Sequence, residues 1–548
     1  MKEQFDDLRK AIWHLRKGGP QQLRRWNYNR LADTPGIKKR SVLPQAGLSR
    51  HYPSLTGVWD TFSQREKEMH SAVDIRRYRN PFAQGWILTR KNSARTLPSP
   101  EHWQCLAFGD WEFRHDPDLE VHHCASSLEP GEVLLIGHAA DSHKRLHSSE
   151  KTAPELLRSV TGSQGWEQFD EAVTWLGGRF VAIARRASAM RVHVDAMASR
   201  SCYWGSKDGD VVLASHSALI ADTLGDAAAT GCKWVLSHPD YDNPAGKYLP
   251  GMVTPHDVAK LVIANCALTI DNTEARHNRF FFTPPEKLSV TEATERYLAE
   301  LRFQMDAALN AQPRSVLALT AGSDSRAMLT GTLDLLHDAG TSAMTYHFFA
   351  RNADHSRKDL LGANRLAHLS NLTHRVLDAS GWDATSSFAK MYHKTFPTWA
   401  RFPSLSRTYY EELGADESLI IGIGGEIGTV FYRDREYDQV TPEVLASKFT
   451  QSDFRKDPRL VETMAEYMDY TQLTEENSAG YDLFDLFYWE HRMSSWAAYG
   501  YSEADFGPTV VLPLNSRRLI HAMLSLPLKD RLKRSIYRQL GAWSGITG

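Results

Sequence analysis

From about residue 84 the chain sets apolar positions in short bursts, GWILTR, VLLIGHA, GRFVAIARR, MRVHVDA and VVLASH, each bounded by charged or small turn residues. Bursts of this length, rich in β-branched residues and punctuated so regularly, predict strands of an antiparallel, sandwich-like unit. Past the Pro-rich TPPEK at 283–287, apolar runs alternate instead with long stretches at helical spacing. That alternation predicts an α/β unit built on a largely parallel sheet with many helices. The pattern divides the chain into an extension, 1–83, an antiparallel β unit, 84–282, and an α/β unit, 283–548. In the extension Phe5, Leu8, Ile12 and Leu15 recur at helical spacing beside Arg9, Lys10, Arg16 and Lys17, with eleven Lys/Arg against four Asp/Glu in the first 40 residues. Such a basic amphipathic helix either packs on its own protein with a solvated face or makes a weak contact with an acidic membrane surface or protein partner.

A chain of 548 residues exceeds one ordinary hydrophobic core, in keeping with that division. With 42% hydrophobic and 24% charged residues the expectation is a packed globular enzyme. A net charge of -2 lacks the basic footprint of a nucleic-acid binder, so no nucleic-acid partner is expected. The five cysteines are scattered and never form a CxxC pair, which suggests neither a disulfide framework nor a zinc site. No apolar run approaches the roughly 18 residues of a membrane span, and the start MKEQFDDLRK lacks a signal-like apolar stretch, so a cytoplasmic location is expected.

The sharpest chemical signal is SVLALTAGSDSRAMLTGTLDLLHDAG at 315–340, an apolar strand over Val316 to Leu319, then Thr320-Ala321-Gly322-Ser323-Asp324-Ser325, then a helix over Ala327 to Leu336. Small residues let the backbone turn sharply, so that successive amides and the helix N-terminus surround a phosphate. The hydroxyls of Thr320, Ser323 and Ser325 add donors, and Asp324 can hold magnesium against a polyphosphate. The GxxxxGK[ST] spacing and its lysine are missing, so this is a different phosphate loop. Downstream, TYHFF at 345–349 is a second strand, DLLGANRLAHLSNLTH carries Asp359, Ala363, Ala367 and His374 in a helical stretch, and SLIIGIGGEIGTVFY at 418–432 runs a strand into a glycine-rich turn with Gly424 and Glu426. A dinucleotide fingerprint is a poor reading of that last turn, because its glycines are spaced GxGxxxG.

In this order the segments resemble those of the asparagine synthetase family, over about residues 84–540. TAGSDS is similar to the family's SGGxDS pyrophosphatase loop, with Ala321 in place of the first glycine. The resemblance implies ATP and magnesium as cofactors. Leu319 to Arg326 and Gly424 would contact the ATP phosphates, Phe348 the adenine, and Asp324 and Glu426 the metal. Ile423 occupies a position where relatives often carry Glu or Tyr. LFYWEHRMSSWA at 486–497 resembles a late helix of the family whose E-x-R pair would be Glu490 and Arg492, cast as a proton-handling carboxylate and a charge-stabilising cation. Lys533 or Arg534 falls where relatives place a C-terminal catalytic lysine.

Residues 175–220 resemble the family's glutaminase domain through Gly178-Arg179-Phe180, Asp195, the Arg200–Trp204 segment and Ala214-Ser215. Active relatives expose an N-terminal cysteine whose amine serves as the base. Here Lys2 follows Met1 and about eighty residues precede the domain, as in β-lactam synthetases and lasso-peptide cyclases, which take the amine from the substrate. The resemblance therefore implies a carboxylate-adenylating, amide-forming ligase that works without glutamine hydrolysis, with a carboxylate substrate and an amine co-substrate that is a small molecule, a peptide or a glycan precursor. Ammonia-dependent amidation of a sugar acid or cell-envelope precursor stays open, as does a non-catalytic ATP-binding scaffold. A tRNA-modifying relative would need a sulfur relay or an RNA surface that the cysteines and charge do not supply.

Overall fold

The computed structural model describes residues 81–91, 99–127, 129–161, 165–226, 230–241, 248–280, 283–311, 314–349, 354–397, 401–413 and 416–544. Residues 1–80 of the extension read at 1–83, its basic helix included, lie outside them. Twelve strands come first: β1 Trp86–Arg90, β2 Gln104–Phe108, β3 Trp111–His115, β4 Val121–Ala125, β5 Glu132–Ala140, β6 Gly177–Arg186, β7 Ala189–Val194, β8 Tyr203–Lys207, β9 Asp210–Ala214, β10 Lys260–Leu261, β11 Cys266–Asp271 and β12 Glu274–Arg279. They form two six-stranded sheets, β10-β8-β9-β1-β3-β2 and β12-β11-β7-β6-β5-β4, antiparallel throughout. The inward alternate positions explain why these segments are strands. Trp86 and Leu88 of β1, Leu134 and Ile136 of β5, Val181 and Ile183 of β6 and Val192 and Val194 of β7 share one apolar cluster between the sheets. Helices Ser149–Thr161 and Glu167–Thr174 cover the other face of β5 and β6 through Leu156, Val160, Phe169 and Val173.

The second region carries β13 Arg314–Ala318, β14 Ser342–His347, β15 His374–Asp378, β16 Glu417–Ile421 and β17 Thr509–Val511 in one parallel sheet of order β15-β14-β13-β16-β17. Val316, Leu317, Leu419 and Ile420 are fully or almost fully buried, as strands covered by helices on both faces require. The chain winds outward from β13 through β14 to β15 and then returns to the other side of β13 as β16. The sheet therefore reverses direction between β13 and β16, and open parallel sheets bind ligands at the carboxyl ends of the strands flanking such a reversal. The α/β expectation and the antiparallel sandwich expectation both hold.

Buried polar contacts join the two regions. Arg179 on β6 makes a two-point contact with Asp505, at 2.5 and 2.8 Å. Asn515 donates to the Gly178 carbonyl at 2.6 Å and to Asp195 at 2.8 Å, and Arg517 reaches Asn265 at 3.0 Å. Asp195 also accepts the backbone amides of Phe180, Met197, Ser199 and Arg200, which ties the β7–β8 turn to β6. Residues singled out in the sequence for their glutaminase resemblance here act as connectors.

Candidate functional site

β13 delivers the loop to the crevice. Leu319 is fully buried, its amide bonds to the Met344 carbonyl and its own carbonyl accepts Thr345 Oγ1. It anchors the loop from within the core and offers no group to a ligand, a correction to its reading as a phosphate contact. Thr345 Oγ1 is in turn 2.8 Å from His374 Nε2, and His374, which the structure puts at the start of β15 and not in the helix read from the sequence, supports the loop through one intermediary.

The turn itself is cross-braced. Thr320 Oγ1 lies 3.0 Å from Ser325 Oγ and accepts the Gly322 amide at 3.0 Å, Asp359 accepts the Ala321 amide at 2.6 Å, and Arg326 donates to the Ala321 carbonyl at 2.9 Å. The helix Ser323–Asp338 starts immediately afterwards, with Gly322 as its extended N-cap. The first-turn amides of Ser323, Asp324 and Ser325 have no intrahelical acceptors and stand with the positive end of the helix dipole at the carboxyl end of β13. Gly422 at the end of β16 lets the two strand ends close up, since a Cβ there would lie 2.9 Å from the Ser325 amide nitrogen.

Asp324 lies on this first turn and Glu426 on the short turn Gly425–Gly428 that follows β16. Asp324 accepts the Gly425 amide at 2.9 Å and the Tyr537 hydroxyl at 3.1 Å, and Glu426 accepts the Tyr488 hydroxyl at 2.5 Å. Burial, reinforced by the charge of Glu426, pushes the Asp324 carboxyl up to about 7. Two carboxylates facing one crevice beside anion-binding amides, one of them made harder to ionise by burial and by the charge of the other, suit a divalent cation held jointly with phosphate oxygens. Magnesium sites of this kind use one or two carboxylates and complete the shell with phosphates and water. No group of three or more potential metal ligands occurs among the described residues, so a metal caged by protein alone does not fit. Gly424, with φ +100°, packs its bare Cα against Met197 of the sandwich.

The remaining sequence-predicted residues divide sharply. Arg534, exposed at the rim with φ +54°, bonds Ser323 Oγ and reaches the loop as expected. Lys533 is exposed, and among the described residues its side chain makes no hydrogen bond or ion pair with the loop. Phe348 is half-buried just past the carboxyl end of β14, at the rim of the crevice. Glu490 is the clearest correction. It is fully buried on the π-helix Phe487–Ala497, and Arg279 of β12 engages both of its oxygens while Asn265 Nδ2 donates at 3.2 Å. A carboxylate so enclosed, with three donors on its two oxygens, links the two regions and is closed to an incoming amine.

Arg492, on the same π-helix, does face the site. Its guanidinium lies 4.8 Å from the Trp496 ring and 5.9 Å from that of Tyr488, the residue bonded to Glu426. Arg401 approaches the same Trp496 ring at 4.0 Å, and neither arginine forms an ion pair among the described residues. Burial pushes Arg401 down to about 10. Sequence reasoning missed Arg401, Tyr488, Trp496 and Tyr537. The first lies in a segment without a motif, and each of the aromatics reads as core. The five cysteines are unpaired, and burial pushes the thiols of Cys232 and Cys266 up to about 11 and about 12, so neither offers a ready thiolate.

No family model matches the chain, and no curated protein matches it. Among solved structures, the glutamine phosphoribosylpyrophosphate amidotransferase from B. subtilis complexed with ADP and GMP is 9% identical over 71% of this chain and 74% of that one, with a TM-score of 0.23. A second, titled the structure of the allosteric regulatory enzyme of purine biosynthesis, is 11% identical over 55% of this chain and 75% of that one, at a TM-score of 0.25. Likenesses this slight carry no functional argument. The chemistry must come from the site.

Proposed function

We propose that the chain is an ATP-dependent ligase that activates a carboxylate as its adenylate and transfers the acyl group to an amine. The observation that carries this reading is the juxtaposition of Asp324 and Glu426 across the β13–β16 crevice, beside three free amides at a helix N-terminus. A magnesium ion held by these two carboxylates would neutralise charge on the pyrophosphate as it departs. The chain's own residues do the rest. The Ser323–Ser325 amides and Arg534 hold the β- and γ-phosphates, Asp359 and Arg326 keep the loop backbone in position, and Phe348 offers a face to the base.

The substrate carboxylate attacks the α-phosphorus and expels pyrophosphate. The amine then attacks the acyl carbon, AMP leaves with the bonding electron pair, and the amine gives up a proton. Arg401 and Arg492, both over the Trp496 ring and neither in an ion pair among the described residues, favour an acyl donor that is itself anionic. Arg401 already donates from one Nη to the Trp496 carbonyl, and the remaining guanidinium donors of the pair would serve such a carboxylate.

ATP/pyrophosphate exchange tests the reading, run with a panel of amino acids, peptides and sugar acids on the wild type and on Asp324→Ala. Exchange that requires one class of carboxylate, and drops by about 100-fold or more in the variant, is the expected result. ATP binding without exchange for any carboxylate would leave a nucleotide-binding scaffold, and a chain that does not bind ATP would end the proposal.

A further inference from the structure

The turn that carries Glu426 is held from outside itself. Glu426 sits on Gly425–Gly428, a helix of four residues entered through Gly424 at φ +100°. So short an element leaves its last carbonyls without partners of its own. Two residues beyond it Val430 stands at φ +61°, a left-handed conformation that a β-branched side chain adopts only where its surroundings impose it. The position of Glu426 is therefore set by whatever grips this segment from elsewhere in the fold.

Arg531 supplies that grip. It lies on the helix Leu528–Leu532 and is 7% exposed. Its Nε donates to the Gly428 carbonyl at 2.9 Å and Nη2 reaches the Ile427 carbonyl at 3.4 Å, so that a guanidinium closes the C-terminus of the turn. Nη2 also donates to Asp485 at 2.6 Å, and Asp485, itself buried, accepts Arg435 on its other oxygen. Arg435 Nε in turn donates to the Tyr432 carbonyl at 2.6 Å. One carboxylate thus engages two guanidinium groups that hold the chain on either side of Val430. Three residues after Asp485, Tyr488 binds Glu426 itself.

The same C-terminal segment reaches the other half of the crevice. Arg531, Arg534 and Tyr537 are spaced by three, and Arg534, at φ +54°, turns the chain between the helices Leu528–Leu532 and Ser535–Ser544. Arg534 binds Ser323 Oγ and Tyr537 binds Asp324. Arg531 is the member of this series whose hydrogen bonds fall on the β16 side.

We propose that Arg531, engaged by Asp485, is a positioning residue that fixes Glu426 opposite Asp324 for magnesium. The proposal rests on the ligase reading in taking these two carboxylates as the metal site. Arg531 acts through the backbone of the Glu426 turn, so its loss lowers affinity for the metal and leaves affinity for the metal-free nucleotide as it was.

Calorimetric titration of the full chain with ATP, in EDTA and at a series of free magnesium concentrations, tests this without an acyl donor. In the wild type magnesium should tighten ATP binding. Arg531→Lys keeps the charge but cannot span both carbonyls and Asp485. It should raise the magnesium concentration that gives half of the tightening by about tenfold, the loss typical of a group that orients a metal ligand, with ATP affinity in EDTA unchanged. Glu426→Gln should shift the magnesium dependence at least as far, and adding Arg531→Lys to it should shift it no further, since both act on one ligand. Asp485→Asn, which keeps the shape of the tether and removes its charge, should shift it in the same direction and decides the matter if Arg531→Lys fails to fold. Three results overturn this proposal alone: an unchanged magnesium dependence in Arg531→Lys, an equal loss of ATP affinity with and without magnesium, or additive shifts in the double variant. A wild type whose ATP binding ignores magnesium, or a Glu426→Gln variant with the wild-type dependence, overturns the metal assignment of the ligase reading and this proposal with it.

Discussion

At the scale of single residues, the departure of the phosphate loop from its usual sequence has a physical counterpart elsewhere in the chain. Ala321 brings a methyl group where the resembling motif has glycine, and Gly362 on the helix Asp354–Leu369 stands opposite. A Cβ at Gly362 would come 2.6 Å from that of Ala321, closer than two methyls can pack. The pair thus exchanges which partner is small. Gly362→Ala should displace the loop and weaken ATP binding by about tenfold, in line with about 1–3 kcal/mol for overpacking. Adding Ala321→Gly should restore it. Calorimetric titration of the two single variants and the double variant checks this, and additive losses would refute the coupling. Glu490 gives the opposite case. Its carboxylate is held by Arg279 in a site with no water access, so Glu490→Gln should cost about 3–5 kcal/mol of stability by leaving a buried guanidinium unpaired. Denaturant unfolding measures that loss. A catalytic role would instead leave stability intact and remove turnover.

At the scale of elements, the loop and its flanking strand and helix were legible in the sequence because their signals are local: an apolar run, small residues at the turn, and hydroxyls at fixed offsets. The same holds for the strands of the sandwich, whose alternation appears directly as buried inward positions. Glu490 was misread because its partner, Arg279, lies 211 residues away, and an E-x-R pair looks the same whether it serves chemistry or joins two regions. Tyr537 was invisible for a related reason. The helix Ser535–Ser544 reads as amphipathic, yet its tyrosine crosses to Asp324, 213 residues distant. That contact makes the last described helix part of the site. Tyr537→Phe keeps the ring, which packs edge-on against Tyr297 at 6.0 Å, and removes only the hydroxyl. Stability should change by no more than about 1 kcal/mol, while pyrophosphate exchange should fall by about tenfold because Asp324 loses a fixed donor. Parallel measurement of melting temperature and exchange separates the two effects. An unchanged exchange rate would reduce Tyr537 to a packing residue.

At the scale of the whole molecule, the two regions behave as one body because their contacts are buried and polar, and histidines on or near this junction make it sensitive to acid. His277 of β12 stacks on Tyr470 at 4.0 Å, with Nδ1 3.1 Å from the Tyr470 carbonyl and Nε2 3.3 Å from the Ile263 amide. One nitrogen donates and the other accepts, an arrangement only the neutral ring provides. Burial pushes His277 down to about 3. His491, stacked on Phe487 at 4.7 Å with no hydrogen bond to either ring nitrogen, is pushed down to about 3 by burial and then by Arg492. Burial likewise pushes His216 down to about 4. In the unfolded chain these imidazoles take up protons near the ordinary value of 6.5. Between that pH and their folded values the unfolded state therefore holds more protons, so stability rises with pH and is lost as the solution is acidified below about 6.5. Each such histidine contributes a slope approaching about 1.4 kcal/mol per pH unit. Asp324, whose carboxyl is raised to about 7, acts in the opposite sense, so with three such histidines against one carboxyl the melting temperature should still fall between pH 6.5 and pH 4.5. His491→Phe, which keeps a flat ring against Phe487 and removes one titrating group without breaking a hydrogen bond, should reduce that slope by about one proton and raise stability most at the acid end. Scanning calorimetry of both chains across this range checks the sign directly, since a variant that shifts the whole curve without changing its slope would show that His491 titrates normally in the folded protein.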